Sequence, residues 1–423
     1  MKLLIKGGRI VDPANKRDEA GDILLEGARI SKVAKNIRCA GAKIIDAKGK
    51  VVMPGLVDMH VHLRQPGLED KETVATGTQA ALKGGVTSVL AMPNTTPTID
   101  CPESAELLKK IVQKSAKASV YICGAITEGR RGGKLTEISQ LKAKGVIAIS
   151  DDGASVDSDQ LFLKAFKEAK RHKLLLICHS EDKALSRGGV VNLGFVSTRM
   201  GLRGISSESE YKRLQRDINL AQKAGAAVHI AHVSCKESVE IIRRAKEKGL
   251  QVTAETAPHY FALTEEEVVG FDTNMKMNPP LRSRADLEAV KKGLKCGIID
   301  LIASDHAPHT ENEKDIEFDR AAFGTIGLET ELAVSITELV HMKILSWPEL
   351  VRKLALNPAK ILGIDKGTLG LGCDADLVIV SPEEEWIVNK EDIVSKSKNS
   401  AFLGKKLKGK VEYTICGGKI AYC

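Results

Sequence analysis

Two histidines one residue apart, His60 and His62 in VDMHVHLR, are the first residues of the chain whose spacing suits chemistry. In an extended strand alternate side chains share a face, so both imidazoles point one way and Val61 the other. They stand about 6.6 Å apart along the strand, near enough to bind one metal ion after a small local adjustment. More such residues follow apolar runs: Asp151 and Asp152 after GVIAIS, His179 after KLLLIC, His232 in AAVHIAHVS, and Asp305, His306 and His309 after IIDLIAS. Four histidines and two acids supply the N and O ligands that suit zinc or a similar divalent ion. That set exceeds one tetrahedral shell. Two ions about 3.5–4 Å apart, bridged by a carboxylate and a hydroxide, would use all of it, and burying the cluster without a cation would be costly.

Only some architectures bring these residues together. Eight apolar segments alternate with helical stretches, at 51–60, 86–93, 118–126, 145–150, 173–179, 226–234, 250–256 and 298–304. Between them, stretches such as SDQLFLKAFKEAKRH repeat apolar residues every three or four positions, as amphipathic helices covering a sheet do. Eight such units predict a (β/α)8 TIM-like barrel, whose C-terminal strand ends converge on one face. A doubly wound open sheet would want a nucleotide loop, and no GxGxxG or GxxxxGK[ST] opens a helix. Both ends of the chain read instead as short strands with Gly and Asp turns, which predicts a small β-sandwich domain built from both termini. The expected division is 1–55 and 365–423 for the β-domain and 56–364 for the barrel, with 345–363 as extra helices leading back.

Composition bounds the class. With 423 residues, 43% hydrophobic and 28% charged, the chain can bury a large core without disulfides. Aromatics at 4% argue against a base-stacking surface, and the net charge of +8 is spread along the chain, so no nucleic-acid partner is expected. Nine cysteines without a CxxC read as reduced, which suits the cytoplasm. No stretch reaches transmembrane length, and no membrane partner is expected.

Of the other histidines, His172 and His341 read as structural, His229 faces away from His232 on its strand and reads as a packed group or one that supports a ligand from behind, and His259 is ambiguous. His306 points away from Asp305 and could orient a ligand. Arg64 can pair with a substrate carboxylate, while Asn94 in AMPNTTP and Asn278 in MNPPLR offer donor and acceptor groups to an amide-like small molecule. Long loops at 186–204 and 310–326 are expected to cover the site. GRRGGK (129–134) lacks P-loop spacing and reads as a turn.

The order VVMPGLVDMHVHLRQPG, AMPNTTP, ISDDG, MNPPLR, SDHAPH, FGTIGLET, GCDADLVIV and GKVEYTICGGKIAY resembles the amidohydrolase superfamily and, within it, class I dihydroorotases of the bacterial type. HxH alone marks the superfamily, whereas DDG, MNPPLR and SDHAPH together mark the narrower group. The resemblance implies one or two zinc ions per subunit, two being favoured: one on His60, His62 and Asp305, the other on His179 and His232. It implies Asp152 as the bridge, with Asp151 the neighbouring alternative. Hydantoinases and allantoinases use a carboxylated lysine there, and GVIAISDDG has none. It further assigns Arg64, Asn94 and His309 to a substrate carboxylate, and Asn278 and the Phe323–Gly324 backbone to the ring.

The implied reaction interconverts dihydroorotate and N-carbamoyl-aspartate in pyrimidine biosynthesis. A hydroxide acidified by the ions attacks the ring amide, and Asp305 moves the proton to the leaving nitrogen. Gln65, Ser180 and the stretch AETAPHYF depart from the family pattern, but no implied ligand is lost. The competing readings are a hydantoinase- or allantoinase-like hydrolase and a weakly active structural partner of aspartate transcarbamoylase. The resemblance also implies a homodimer and, in this branch, a complex with that transcarbamoylase.

Overall fold

A computed structural model describes residues 2–423. Five strands open the chain: β1 (Lys2–Asp12), β2 (Arg17–Glu26), β3 (Arg29–Ala34), β4 (Lys43–Asp46) and β5 (Val51–Pro54). Then follow β6 (Leu56–Val61), β7 (Val86–Ala91), β8 (Ser119–Gly124), β9 (Val146–Ser150) and β10 (Leu175–Cys178). The short pair β11 (Val191–Asn192) and β12 (Gly204–Ile205) precedes β13 (Val228–Ile230), β14 (Val252–Thr256) and β15 (Leu301–Ile302). The chain closes with β16 (Leu377–Ile387), β17 (Lys406–Cys416) and β18 (Lys419–Tyr422).

The two ends of the chain share one mixed sheet in the order β18-β17-β16-β5-β1-β2-β3, with β4 also paired to β1. Its seam is β5, parallel to β1 through Arg9–Val51 and antiparallel to β16 through Val378–Met53. Residues from both ends fill its core, among them Leu3, Ile5, Ile23, Leu25, Leu377, Ile379 and Ile415.

The eight apolar segments of the middle form a parallel sheet in the order β6-β7-β8-β9-β10-β13-β14-β15. Its edges meet where Val61 pairs with His306 and the His62 amide donates to the His306 carbonyl at 2.9 Å. Segment 51–60, a single run in sequence, divides between the two sheets at Gly55. A side chain at Gly55 would put its Cβ 2.3 Å from Thr87 Oγ1, so only glycine allows the turn. Val57, Met59, Leu90, Met92, Cys123, Ala148, Ile177, Ala231 and Leu301 form one cluster drawn from strands all round the sheet, which only the barrel lumen brings together.

The helices outside follow their predicted faces. In Asp159–Arg171 the buried residues are Phe162, Ala165, Phe166 and Ala169, and Ser158 caps the start by accepting from the Leu161 amide. Each phenylalanine buried there contributes about 1.5–3 kcal/mol. The next long helix, Glu208–Ala224, stops at Gly225, which is left-handed at φ 59°. Among the described residues no helix is long and apolar enough to cross a membrane, and all nine cysteines are free.

Candidate active site

Strand ends deliver the polar residues to one mouth of the barrel, and three of them need an unusual backbone to do so. Arg64, His232 and Asp305 sit at φ 61°, 35° and 49°, left-handed conformations that turn each side chain off its strand's regular alternation. There His60 Nε2 lies 3.2 Å from Asp152 Oδ1 and 3.6 Å from Asp305 Oδ1. His62 Nε2 lies 3.1 Å from Asp305 Oδ1 and 3.6 Å from Asp152 Oδ2. His179 Nδ1 and His232 Nε2, 2.8 Å apart, stand 3.6 and 3.8 Å from Asp152 Oδ1. The two oxygens of Asp152 therefore face different histidines. Asp151, by contrast, turns away and accepts from the amides of Ile126 and Thr127 at 2.8 and 3.0 Å.

These spacings fit divalent ions. Ligands bonded at about 2.0–2.1 Å to a tetrahedral ion lie roughly 3.3 Å from one another. Two groups bring their donor atoms within 4.8 Å of one another, near enough to close round an ion: His60 with Asp152 and His232, and His60 with His62 and Asp305. His60 Nε2 and Asp152 Oδ1 are buried with no hydrogen-bond partner, although they face each other across 3.2 Å. Orphaned buried atoms of this kind are what an ion would satisfy. The charges agree. Burial alone would raise the carboxyls, yet the surrounding histidines hold Asp152 and Asp305 well below the usual carboxylate range. Burial likewise opposes protonation of His60, but Asp152, Asp305 and Glu255 push it well above its ordinary value. The centre is anionic and calls for positive charge.

The far nitrogens of the histidines are fixed by residues the sequence reading did not single out. His60 Nδ1 donates to Glu255 Oε1 at 2.6 Å, and Glu255 Oε2 accepts from His229 Nε2 at 3.0 Å. His229, expected as a packed or supporting group, thus joins the network behind His60. His179 Nε2 donates to Glu181 Oε2 at 3.1 Å, and the same oxygen accepts from Asn278 Nδ2 at 3.1 Å. Such contacts set which nitrogen faces the ion. Period-two spacing from His179 would have flagged Glu181; Glu255 ends β14 just as the ligands end their strands.

Over the cluster lies a cavity of about 680 Å³ whose wall includes Arg64, Asn94, Asn278, His309, Phe323 and Gly324. Arg64 is buried, and its Nε donates to the Pro308 carbonyl at 3.1 Å. Asn94 uses its Oδ1 to accept from His62 Nδ1 at 2.9 Å, which leaves its amide N–H groups for a ligand. Burial and the Arg64 charge press His309 down to about 3, so it is neutral. Loop 186–204 adds Arg187 and Gly189, and loop 310–326 adds Phe323 and Gly324. Two departures have structural uses: Gln65 Oε1 accepts from the Val74 amide at 3.0 Å, and Ser180 donates to Asp217 at 3.1 Å. His259 is buried with Nε2 unpartnered, and His306 joins strands rather than facing the cavity.

The dihydro-orotase-like family profile matches residues 49–238, and the amidohydrolase family profile matches 340–422. The chain is 51% identical to the dihydroorotase of Elusimicrobium minutum over 420 residues, covering 99% of this chain and 97% of that one. It is 49% identical to the dihydroorotase of Geotalea daltonii, covering 100% and 99%. Among solved structures, the L-hydantoinase of Arthrobacter aurescens superposes with a TM-score of 0.89 at 26% identity, covering 99% of this chain and 95% of that one. A shared fold does not carry a shared substrate. Identity near one half over the whole length is what decides: the chain belongs to the dihydroorotase family of amidohydrolases.

Proposed function

We propose that the cluster holds two zinc ions and that the cavity above it converts dihydroorotate to N-carbamoyl-aspartate and back, the ring-closing direction serving pyrimidine biosynthesis. The observation that carries this reading is Asp152, whose Oδ1 lies 3.6 and 3.8 Å from His179 and His232 while its Oδ2 lies 3.6 Å from His62. His60, His62 and Asp305 would hold one ion, His179 and His232 the other, with Asp152 between them. Imidazole and carboxylate donors suit zinc. Bound there, the ions supply Lewis acidity toward the ring carbonyl and lower the pKa of water.

The chain's own residues divide the remaining work. Asp305, kept ionised by its histidines, takes the proton of the attacking water and returns it to the ring nitrogen as the amide C–N bond breaks. Arg64, with the Asn94 amide and neutral His309, binds the substrate carboxylate. Asn278 and the Phe323–Gly324 backbone orient the ring, and the two long loops limit water. An uncharged ring such as hydantoin would leave the Arg64 cation unpaired, which disfavours that substrate.

The same reading divides the chain into a β-domain of 1–55 with 365–423 and a barrel of 56–364. It puts the protein in the cytoplasm, on its nine free cysteines, as a homodimer able to assemble with aspartate transcarbamoylase. The test is turnover of dihydroorotate and carbamoyl-aspartate alongside hydantoin and allantoin, with metal analysis of the purified protein. Turnover of dihydroorotate alone is expected; faster turnover of hydantoin would overturn the assignment.

A further inference from the structure

The wall formed by Phe323 and Gly324 is held by two buried lysines that the reaction does not use. Lys314, 5% exposed, donates through Nζ to the carbonyls of Ala322 at 2.8 Å, Gly324 at 3.0 Å and Lys276 at 3.4 Å. An ammonium has three N–H donors, and all three are engaged. Lys276, 2% exposed, donates to the carbonyls of Phe318 and Asp319 at 2.8 and 3.0 Å, and its Nζ stands 4.5 Å from the centre of the Phe323 ring. The backbone of Lys276 also accepts from the Gly324 amide at 2.9 Å.

Among the described residues no carboxylate oxygen lies within 4.0 Å of either ammonium. Burial, with the Lys276 cation nearby, brings Lys314 down to about 7. Removing a cation from water without an anion is a poor route to stability. What the arrangement secures is geometry. Four carbonyls between 318 and 324 are fixed by two side chains, beside a glycine at φ 136° where a Cβ would meet Ala307 Cβ at 2.8 Å.

We infer that Lys314 and Lys276 are positioning residues that set the Phe323–Gly324 backbone for ring binding. The inference rests on the proposed reading of that wall as the ring contact. Lys314→Met is then expected to raise KM for dihydroorotate roughly tenfold or more, about one well-made hydrogen bond's worth of binding. The kcat should stay within about threefold, because the same wall serves ground and transition states. Metal content should not change, and Tm should not fall. An unchanged KM, or a loss of kcat and Tm together, overturns the inference.

Two further measurements guard against a variant that does not fold. Lys276→Met carries the same expectation. In the unmodified enzyme the Gly324 amide should be protected from hydrogen exchange before substrate is added, and rapid exchange there overturns the inference without any variant. Unmodified enzyme and Arg64→Met run in parallel as controls. If the former does not turn over dihydroorotate, or the latter keeps its KM, the reading of the cavity is at fault and not the lysines.

Discussion

Arg64 offers the sharpest single perturbation, because the part proposed for it in the reaction is binding alone. The residue is 8% exposed, with Nε on the Pro308 carbonyl at 3.1 Å and Nη2 3.4 Å from His309 Nε2. Burial lowers its pKa to about 10, so it stays charged at neutral pH. Of five N–H donors, those not engaged by the protein are free to meet a carboxylate. Arg64→Met keeps the stem and removes the charge. Losing one partner of a buried, hydrogen-bonded charge pair costs about 2–5 kcal/mol. At about 1.4 kcal/mol per factor of ten, kcat/KM for dihydroorotate should fall roughly 30- to several thousand-fold. Most of that loss should lie in KM, since the carboxylate is held equally before and during bond cleavage. The assay is steady-state hydrolysis of dihydroorotate beside dihydrouracil, the same ring without the carboxylate. Any dihydrouracil turnover should be unchanged or improved. Equal losses on both rings, or an unaltered KM for dihydroorotate, would refute the reasoning.

Two other substitutions extend the account. Asp305→Asn should lower turnover about 10³-fold or more in both directions while dihydroorotate still binds, checked by calorimetry on protein of measured metal content; near-normal turnover would remove Asp305 from proton transfer. Asp217, fully buried beside Arg216, is raised by desolvation to about 6 from 3.8. Because the folded pKa exceeds the unfolded one, its contribution is fully present below about pH 4 and is lost as pH rises through about 6. Asp217→Asn should therefore flatten the fall in unfolding free energy between pH 4 and 8 by about 2–3 kcal/mol, read from urea titrations; an unaltered pH profile would count against it.

Periodicity in the sequence located all eight barrel segments, because an apolar run between amphipathic helices can only be a covered strand. It joined β5 to β6, since nothing in VVMPGLVDMH marks the contact with Thr87 that turns the chain at Gly55. Alternation placed His60 and His62 together correctly, and it read His229 as a packed or supporting group, which is how it stands, meeting the Glu255 carboxylate that holds His60. Glu255 and Glu181 passed unnoticed. Glu255 meets His60 only when strands far apart in sequence stand side by side, whereas Glu181 lies two residues past His179 and was within reach of period-two spacing. The lysines behind Phe323 were equally hidden, since a lysine in a polar loop reads as solvated until the loop is folded over it.

Metal stoichiometry tests the central claim most directly. The purified chain, stripped by chelation and titrated with zinc, would be followed for bound metal and dihydroorotate turnover in parallel, with Asp152→Ala as the second sample. The expected result is no turnover in stripped protein, recovery that saturates at two ions per chain, and loss of at least one ion in the variant. Full turnover by metal-free protein, or two ions retained without Asp152, would contradict it.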